Sequence, residues 1–218
     1  MVINKYLAEL IGTFILVFVG SMSILAASVG GGPLMVVVPF GFGLGLLAAI
    51  YAVGDVSGGH FNPAVTLAMW LDKRTDTSDL IGYWIGQVVG GVFASVIVYW
   101  ASDQSAVAGT ATAPGAGAGS GVLVELAMTA IFVLVILTAT VRQPRSAPWA
   151  ISLTFAAVHF AAIPISGASV NPARTIGPAL VGNTWIDFWI YVVGPFAGAI
   201  VAWLLYRVFH TEGVMADS

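Results

Sequence analysis

The sequence predicts an all-α membrane protein with six transmembrane helices plus two half-helices in an inverted repeat. Three observations carry this. The 218 residues are 59% hydrophobic and 8% charged, against roughly 25% charged in soluble domains. Six apolar runs are long enough to span a bilayer, which takes about 20 helical residues. Two Asn-Pro-Ala boxes recur half a chain apart. A surface this poor in charge needs lipid as its solvent. A backbone in lipid must satisfy its own hydrogen bonds, so the spans are helices.

The elements follow in order. Residues Met1 to Lys5 precede an apolar run, Leu7 to Ala27. Its length reads as a retained helix, Tyr6–Ser28, rather than a cleaved signal peptide. The second span is Leu34–Gly54 and the third Leu80–Trp100. Between them Phe61–Leu71 is too short to cross. The segment Ala101–Gly121, rich in Gly, Ala, Ser and Thr, reads as a flexible connector. Spans Val122–Val141 and Trp149–Ile165 lead to a second short segment, Val170–Val181, and to the last span, Trp185–Phe209. The tail after His210 reads as short, polar and loose. In both short segments Asn precedes Pro, which gives an N-cap and then the first helical position of a half-length helix.

Placing both termini inside puts Lys5, Lys73, Arg74, Arg142, Arg145 and Arg207 on the cytoplasmic side. Arg174 is the one basic residue left. A net charge of −3 without a basic run argues against nucleic acid as a partner. With no Cys, disulfides and thiolate metal sites are excluded, and no other metal-ligand cluster stands out. No nucleophile–base pair or phosphate loop is visible, so neither an enzyme nor a cofactor is expected.

The boxes belong to a larger repeat. Ser57 to Thr66 and Ser166 to Thr175 match at six of ten positions, with Asn62 and Asn171 separated by 171 − 62 = 109 residues. Gly86 and Gly90 precede Gly194 and Gly198 by 108 residues. Glu9 and Glu125 sit alike in the first spans of the halves. Residues 1–218 therefore read as one domain with halves of about 1–110 and 111–218. Three spans per half is odd, so the second half is inverted relative to the first. Gly82, Gly86 and Gly90 share a face of the third span, and Gly194 and Gly198 share one of the sixth. Small residues four apart let helices approach closely.

A half-helix N-terminus carries unpaired N–H groups and about half a positive charge. Two such ends meeting at mid-membrane, formed by Asn62-Pro63-Ala64 and Asn171-Pro172-Ala173, make a positive focus with amide donors. A neutral polar molecule can accept hydrogen bonds there, whereas a cation is repelled. Arg174, inside an apolar segment, must face water or an acceptor.

The boxes His60-Phe-Asn-Pro-Ala-Val-Thr66 and Ser169-Val-Asn-Pro-Ala-Arg-Thr175 resemble those of the aquaporin (major intrinsic protein) family, and the resemblance runs from Glu9 to Gly198. It implies a passive water channel of the prokaryotic, water-selective type, lying in the lipid bilayer of a plasma or inner membrane as a homotetramer with one pore per subunit. It also implies an outer selectivity filter. Its residues would be Phe42, twenty before Asn62; His159, fifteen before Arg174; Ala168, six before it; and Arg174 itself. Water-selective members resemble this set, whereas glycerol facilitators usually have a small residue in place of His and an Asp after the Arg; here that position is Thr175. Ala168 stands where other water channels often have Cys or Thr, and Val192 where many have Trp. Glu9 and Glu125 would brace the loops that carry the half-helices, and His60 would border the inner vestibule and bond loop backbone. Asp55, near a cytoplasmic end, reads as a solvated charge; Gln87 is a further polar residue within a span, and Thr66 and Thr175 read as capping or packing groups. Two alternatives stay open: a pore for glycerol or another small neutral solute, and an ion-coupled secondary transporter. A scaffold with a vestigial pore is disfavoured by the intact filter set.

Overall fold

The computed structural model describes residues 2–215, and every element among them is helical. The helices are α1 Val2–Gly30, α2 Leu34–Ser57, α3 Pro63–Leu71, α4 Thr77–Ala101, α5 Gln104–Thr110, α6 Ala118–Arg142, α7 Ala147–Ser166, α8 Pro172–Val181 and α9 Ile190–Met215. Six of them, α1, α2, α4, α6, α7 and α9, are long and apolar enough to cross a membrane. At 1.5 Å per residue, the nine residues of α3 and ten of α8 reach about 14–15 Å, half the bilayer core.

The two halves are built alike. α1 packs on α2 and α4, as α6 packs on α7 and α9. Glycine sets the closeness of these pairs. A Cβ on Gly86 would come within 2.8 Å of the Tyr6 carbonyl oxygen, and one on Gly90 would collide with the Leu10 carbonyl. In the other half, Gly194 faces the Glu125 side chain and Gly198 the Leu126 carbonyl. Gly82 faces the Tyr6 ring, a side chain rather than backbone. α2 and α7 join the halves, and the half-helices cross over: α8 packs on α4, and α3 on α9.

The loops leading into the half-helices begin the same way. α2 ends at Gly58 (φ 92) and α7 at Gly167 (φ 83), left-handed positions whose N–H groups close on Gly54 and Ile163. The chain then turns inward through further left-handed residues, Gly59 (φ 66) and Ala168 (φ 51), and then Phe61 (φ 48) and Val170 (φ 46) beside the boxes. A bulky or β-branched side chain rarely adopts this conformation, and both are held by hydrogen bonds described below.

Four expectations are corrected. The connector 101–121 is not a flexible coil. Asp103 caps the short helix α5 by accepting the Ala106 N–H at 2.8 Å, and Val107, Thr110 and Thr112 are buried. The last span begins at Ile190 rather than Trp185, because Asp187 (φ 45) breaks the helical path. Trp185 and Trp189 are left about half exposed at the end of the bundle, where amphipathic rings suit a membrane interface. The helix also continues past His210 to Met215, where a loose tail was expected; residues 216–218 lie outside the described part. The other spans run up to four residues beyond the expected bounds, with α2 starting at Leu34 as expected, and the two half-helices start at Pro63 and Pro172.

Candidate functional site

Glu9 and Glu125 are wholly buried, one in each half. The Glu9 carboxylate accepts from the Ser57 hydroxyl (2.6 Å) and His60 N–H (3.0 Å) on one oxygen, and from Phe61 N–H (2.7 Å) and Gln87 Nε2 (2.6 Å) on the other. Glu125 accepts from the Ser166 hydroxyl (2.7 Å), Ser169 N–H (2.8 Å) and Val170 N–H (2.7 Å). Burying a carboxylate costs several kcal/mol. Hydrogen bonds to a charged group contribute about 1.5–3 kcal/mol each, so three or four offset that cost and hold the left-handed turns at Phe61 and Val170. Tyr83 and Tyr191 add matching bonds, donating to the Ser57 (2.7 Å) and Ser166 (2.6 Å) carbonyls.

These loops bring the half-helix N-termini together. Asn62 Oδ1 accepts the Ala64 N–H (2.9 Å), and Asn171 Oδ1 accepts those of Ala173 (3.0 Å) and Arg174 (3.3 Å). Pro63 and Pro172 open α3 and α8, and Ala64 and Ala173 are fully buried behind them. Each Asn amide nitrogen donates across the meeting point, Asn62 to the Val170 carbonyl (2.8 Å) and Asn171 to that of Phe61 (2.9 Å). An amide carries two hydrogens, so one on each Asn is left for another acceptor. The partial positive charges of α3 and α8 converge at this pair.

His60 sits beside this junction. Its Nδ1 pairs with the Thr66 hydroxyl at 3.2 Å, and its ring meets the Tyr83 edge at 5.1 Å. The expected bond of its side chain to loop backbone is thus replaced by one to Thr66. Thr66 also accepts from Gln87 (2.8 Å), linking His60 to the Glu9 cluster. His60 lines two cavities, of about 180 and 520 Å³, at the end carrying Lys5, Lys73 and Arg74.

Phe42, His159 and Arg174 come from α2, α7 and α8 and meet at the opposite end. The Phe42 and His159 rings stack at 4.5 Å with 19° between planes, and the Arg174 guanidinium lies 4.7 Å from the Phe42 centroid. His159 Nδ1 is 2.8 Å from the Phe155 carbonyl. A carbonyl only accepts, so we assign that nitrogen the proton, which leaves Nε2 an acceptor in the neutral ring. Arg174 Nη1 donates to the Thr110 carbonyl at 3.0 Å. His159 Nε2 and Arg174 Nε, both buried, have no protein partner. A cavity of about 190 Å³ ends on these three side chains. Ala168 is buried nearby in sequence with φ 51, its N–H bonded to the Ser166 hydroxyl (3.1 Å). Asp55 is exposed at the end of α2, and Val192 is partly buried in the first turn of α9.

Several groups here escaped the sequence. Ser57 and Ser166 were visible as repeat matches, and Tyr83 and Tyr191 share the 108-residue spacing of the glycines, so both pairs carried a usable signal. Thr110 and Thr112, in a low-complexity stretch, carried none. Arg74, expected only as a cytoplasmic charge, bonds Asp72 (2.7 Å), the Thr140 hydroxyl (3.0 Å) and the Leu137 carbonyl (3.1 Å), and lies over the Tyr206 ring at 5.2 Å. It ties the end of α3 to α6 and α9.

Known proteins resemble this chain along its length. The family model described as "Major intrinsic protein" matches residues 1–206. Aquaporin Z of Photorhabdus laumondii is 40% identical over 230 residues, covering 96% of this chain and 99% of the relative. Glycerol uptake facilitator protein-like 6 of Lactiplantibacillus plantarum is 39% identical over 220 residues, with 96% and 99% covered. The X-ray structure of the aquaglyceroporin from Plasmodium falciparum shares the fold, with a TM-score of 0.84 over the whole of both chains at 20% identity.

Proposed function

This chain belongs to the major intrinsic protein family, and we propose that it is a passive pore selective for water. As a member of that family it is a multi-pass membrane channel rather than an enzyme. The observation that carries water selectivity is the stack of His159 on Phe42 with Arg174 against the same ring. The imidazole fills the space that a carbon backbone such as glycerol's would need. The unpartnered His159 Nε2 accepts from a passing molecule, and Arg174 Nε donates to it. One water can do both in turn.

At midplane, Asn62 and Asn171 offer their remaining amide hydrogens, and the two helix ends repel cations. The end bearing Lys5, Lys73 and Arg74 is the cytoplasmic one, with both termini inside a plasma or inner membrane. The chain assembles as a homotetramer with a pore in each subunit, its apolar outer helix faces covered by lipid and by neighbouring copies.

A second reading has one finding in its favour: the facilitator-like relative is nearly as similar as the aquaporin Z. Stopped-flow light scattering of vesicles holding the purified protein separates the two. Water-selective vesicles shrink fast in a sucrose gradient and re-swell in glycerol no faster than empty ones. Glycerol re-swelling at the pace of the water phase would replace this reading with the facilitator.

A further inference from the structure

The connector after α5 touches the filter loop repeatedly. The Thr110 carbonyl receives Arg174, and the Ala116 N–H donates to the Ile165 carbonyl at 3.1 Å. Gly167 (φ 83) lies so close that a Cβ would come within 3.0 Å of the Ala113 carbonyl oxygen. A further contact is made by a side chain. Thr112 Oγ1 is 3.2 Å from Thr175 Oγ1, which bonds in turn to the Ser169 hydroxyl. The Ser169 hydroxyl is 2.9 Å from the Asn171 carbonyl and accepts the Asn171 N–H at 3.3 Å. All three hydroxyls belong to buried residues.

Counting hydrogens fixes the direction of this chain. A carbonyl only accepts, and each hydroxyl has one hydrogen. With the Ser169 hydrogen on the Asn171 carbonyl, Thr175 donates to Ser169, and the Thr112 hydrogen is shared between Thr175 Oγ1 and the Tyr191 hydroxyl oxygen beside it. The connector is the source of the hydrogen bond that runs into the first turn of α8, the turn from which Arg174 projects.

We infer that Thr112 is a positioning residue for the filter. Its hydroxyl keys the connector onto α8 and so holds the Thr110 carbonyl, two residues back, against the Arg174 guanidinium. Without that key the connector drifts, Arg174 Nη1 loses its acceptor, and the guanidinium turns toward the lumen for another. The inference rests on Arg174 being a filter residue, as proposed above.

Thr112→Val keeps the side-chain shape and removes the hydroxyl, whereas Thr112→Ser keeps the hydroxyl. The readout is the glycerol-to-water permeability ratio of vesicles, with Arg174→Ala as the reference for a lost filter. The expected result is a ratio moved by about two- to ten-fold toward that of Arg174→Ala, the factor one hydrogen bond controls, with Thr112→Ser restoring it. Thr175→Val, which cuts the same link from the half-helix, should act likewise and serves if Thr112→Val does not fold. A role in stability alone would reduce both fluxes together and leave the ratio unchanged. A wild-type ratio in both Val variants, with Arg174→Ala altered, overturns the inference. An unaltered ratio in Arg174→Ala instead refutes the filter reading. Thr112 is then judged by a crystal structure of the Val variant: Arg174 Nη1 displaced from the Thr110 carbonyl supports the inference, and an unmoved pair overturns it.

Discussion

At the scale of single residues, the proposed pore rests on groups that have one job and few substitutes. His159 occupies space and offers Nε2. His159→Gly should raise glycerol or urea entry well above the empty-vesicle rate, with water flux kept or increased; solute flux unchanged in a well-folded variant would mean the imidazole does not set the aperture. The two glutamates are not equivalent. Each Glu9 oxygen receives two donors, whereas one Glu125 oxygen receives a single donor, the Val170 N–H. An amide in place of Glu125 can turn its NH₂ toward that single donor and strand one N–H, at about 1–3 kcal/mol. An amide in place of Glu9 strands one N–H and must in addition either reverse the Ser57 hydroxyl or turn over the Gln87 amide, which gives up the Gln87 bond to Thr66. Glu9→Gln should therefore lower the melting temperature in detergent more than Glu125→Gln, and the reverse order would contradict this bonding scheme. The sequence pointed to both glutamates through their repeat positions. It could not show the asymmetry, because Gln87 and its counterpart Pro195 look unrelated until α4 and α9 are superimposed on the repeat spacing.

At the scale of elements, legibility followed periodicity and length. Long apolar runs and Asn-Pro starts located eight of the helices among the described residues, because lipid leaves the backbone no other solution. The ninth, α5, was missed because its seven residues have no apolar period and its burial comes from packing on α1, α4 and α8, which the sequence does not show. The start of α9 was misplaced because apolar composition cannot distinguish a helix from an interfacial turn rich in Trp. The glycine faces were legible as spacing, but not in their relative severity. A Cβ on Gly90 meets Leu10 backbone, which cannot move without α1, whereas one on Gly82 meets the Tyr6 ring, which can swing away. Gly90→Ala should thus destabilise the fold clearly more than Gly82→Ala, as read by thermal aggregation in detergent. Equal tolerance of the two would mean α1 and α4 are less tightly packed than described.

For the whole molecule, the proposed orientation and charge exclusion are properties of the two halves together. The chain has no Cys, so single cysteines report topology cleanly. Ser78→Cys and Ser102→Cys, both at exposed positions on opposite ends of α4, should differ in intact cells: an impermeant maleimide should label Ser102→Cys at once and Ser78→Cys only after lysis. The reverse pattern would invert the assigned orientation. In the proposed reading, charge exclusion depends on two barriers in series, the Arg174 guanidinium and the convergence of α3 and α8, and Coulomb terms grow as the effective dielectric falls. Midpore water should turn its oxygen toward the Asn donors and helix ends, which disfavours a proton there. Arg174→Val alone should give a small proton leak, since the midpore barrier remains, and a larger one when combined with His159→Ala. The most direct measurement takes water and proton flux from the same vesicles, by light scattering and by a pH-sensitive dye under a potassium–valinomycin potential. The wild-type protein should pass water fast, with no proton conductance above that of the lipid; a robust proton conductance in the folded wild type would contradict the positive midpore.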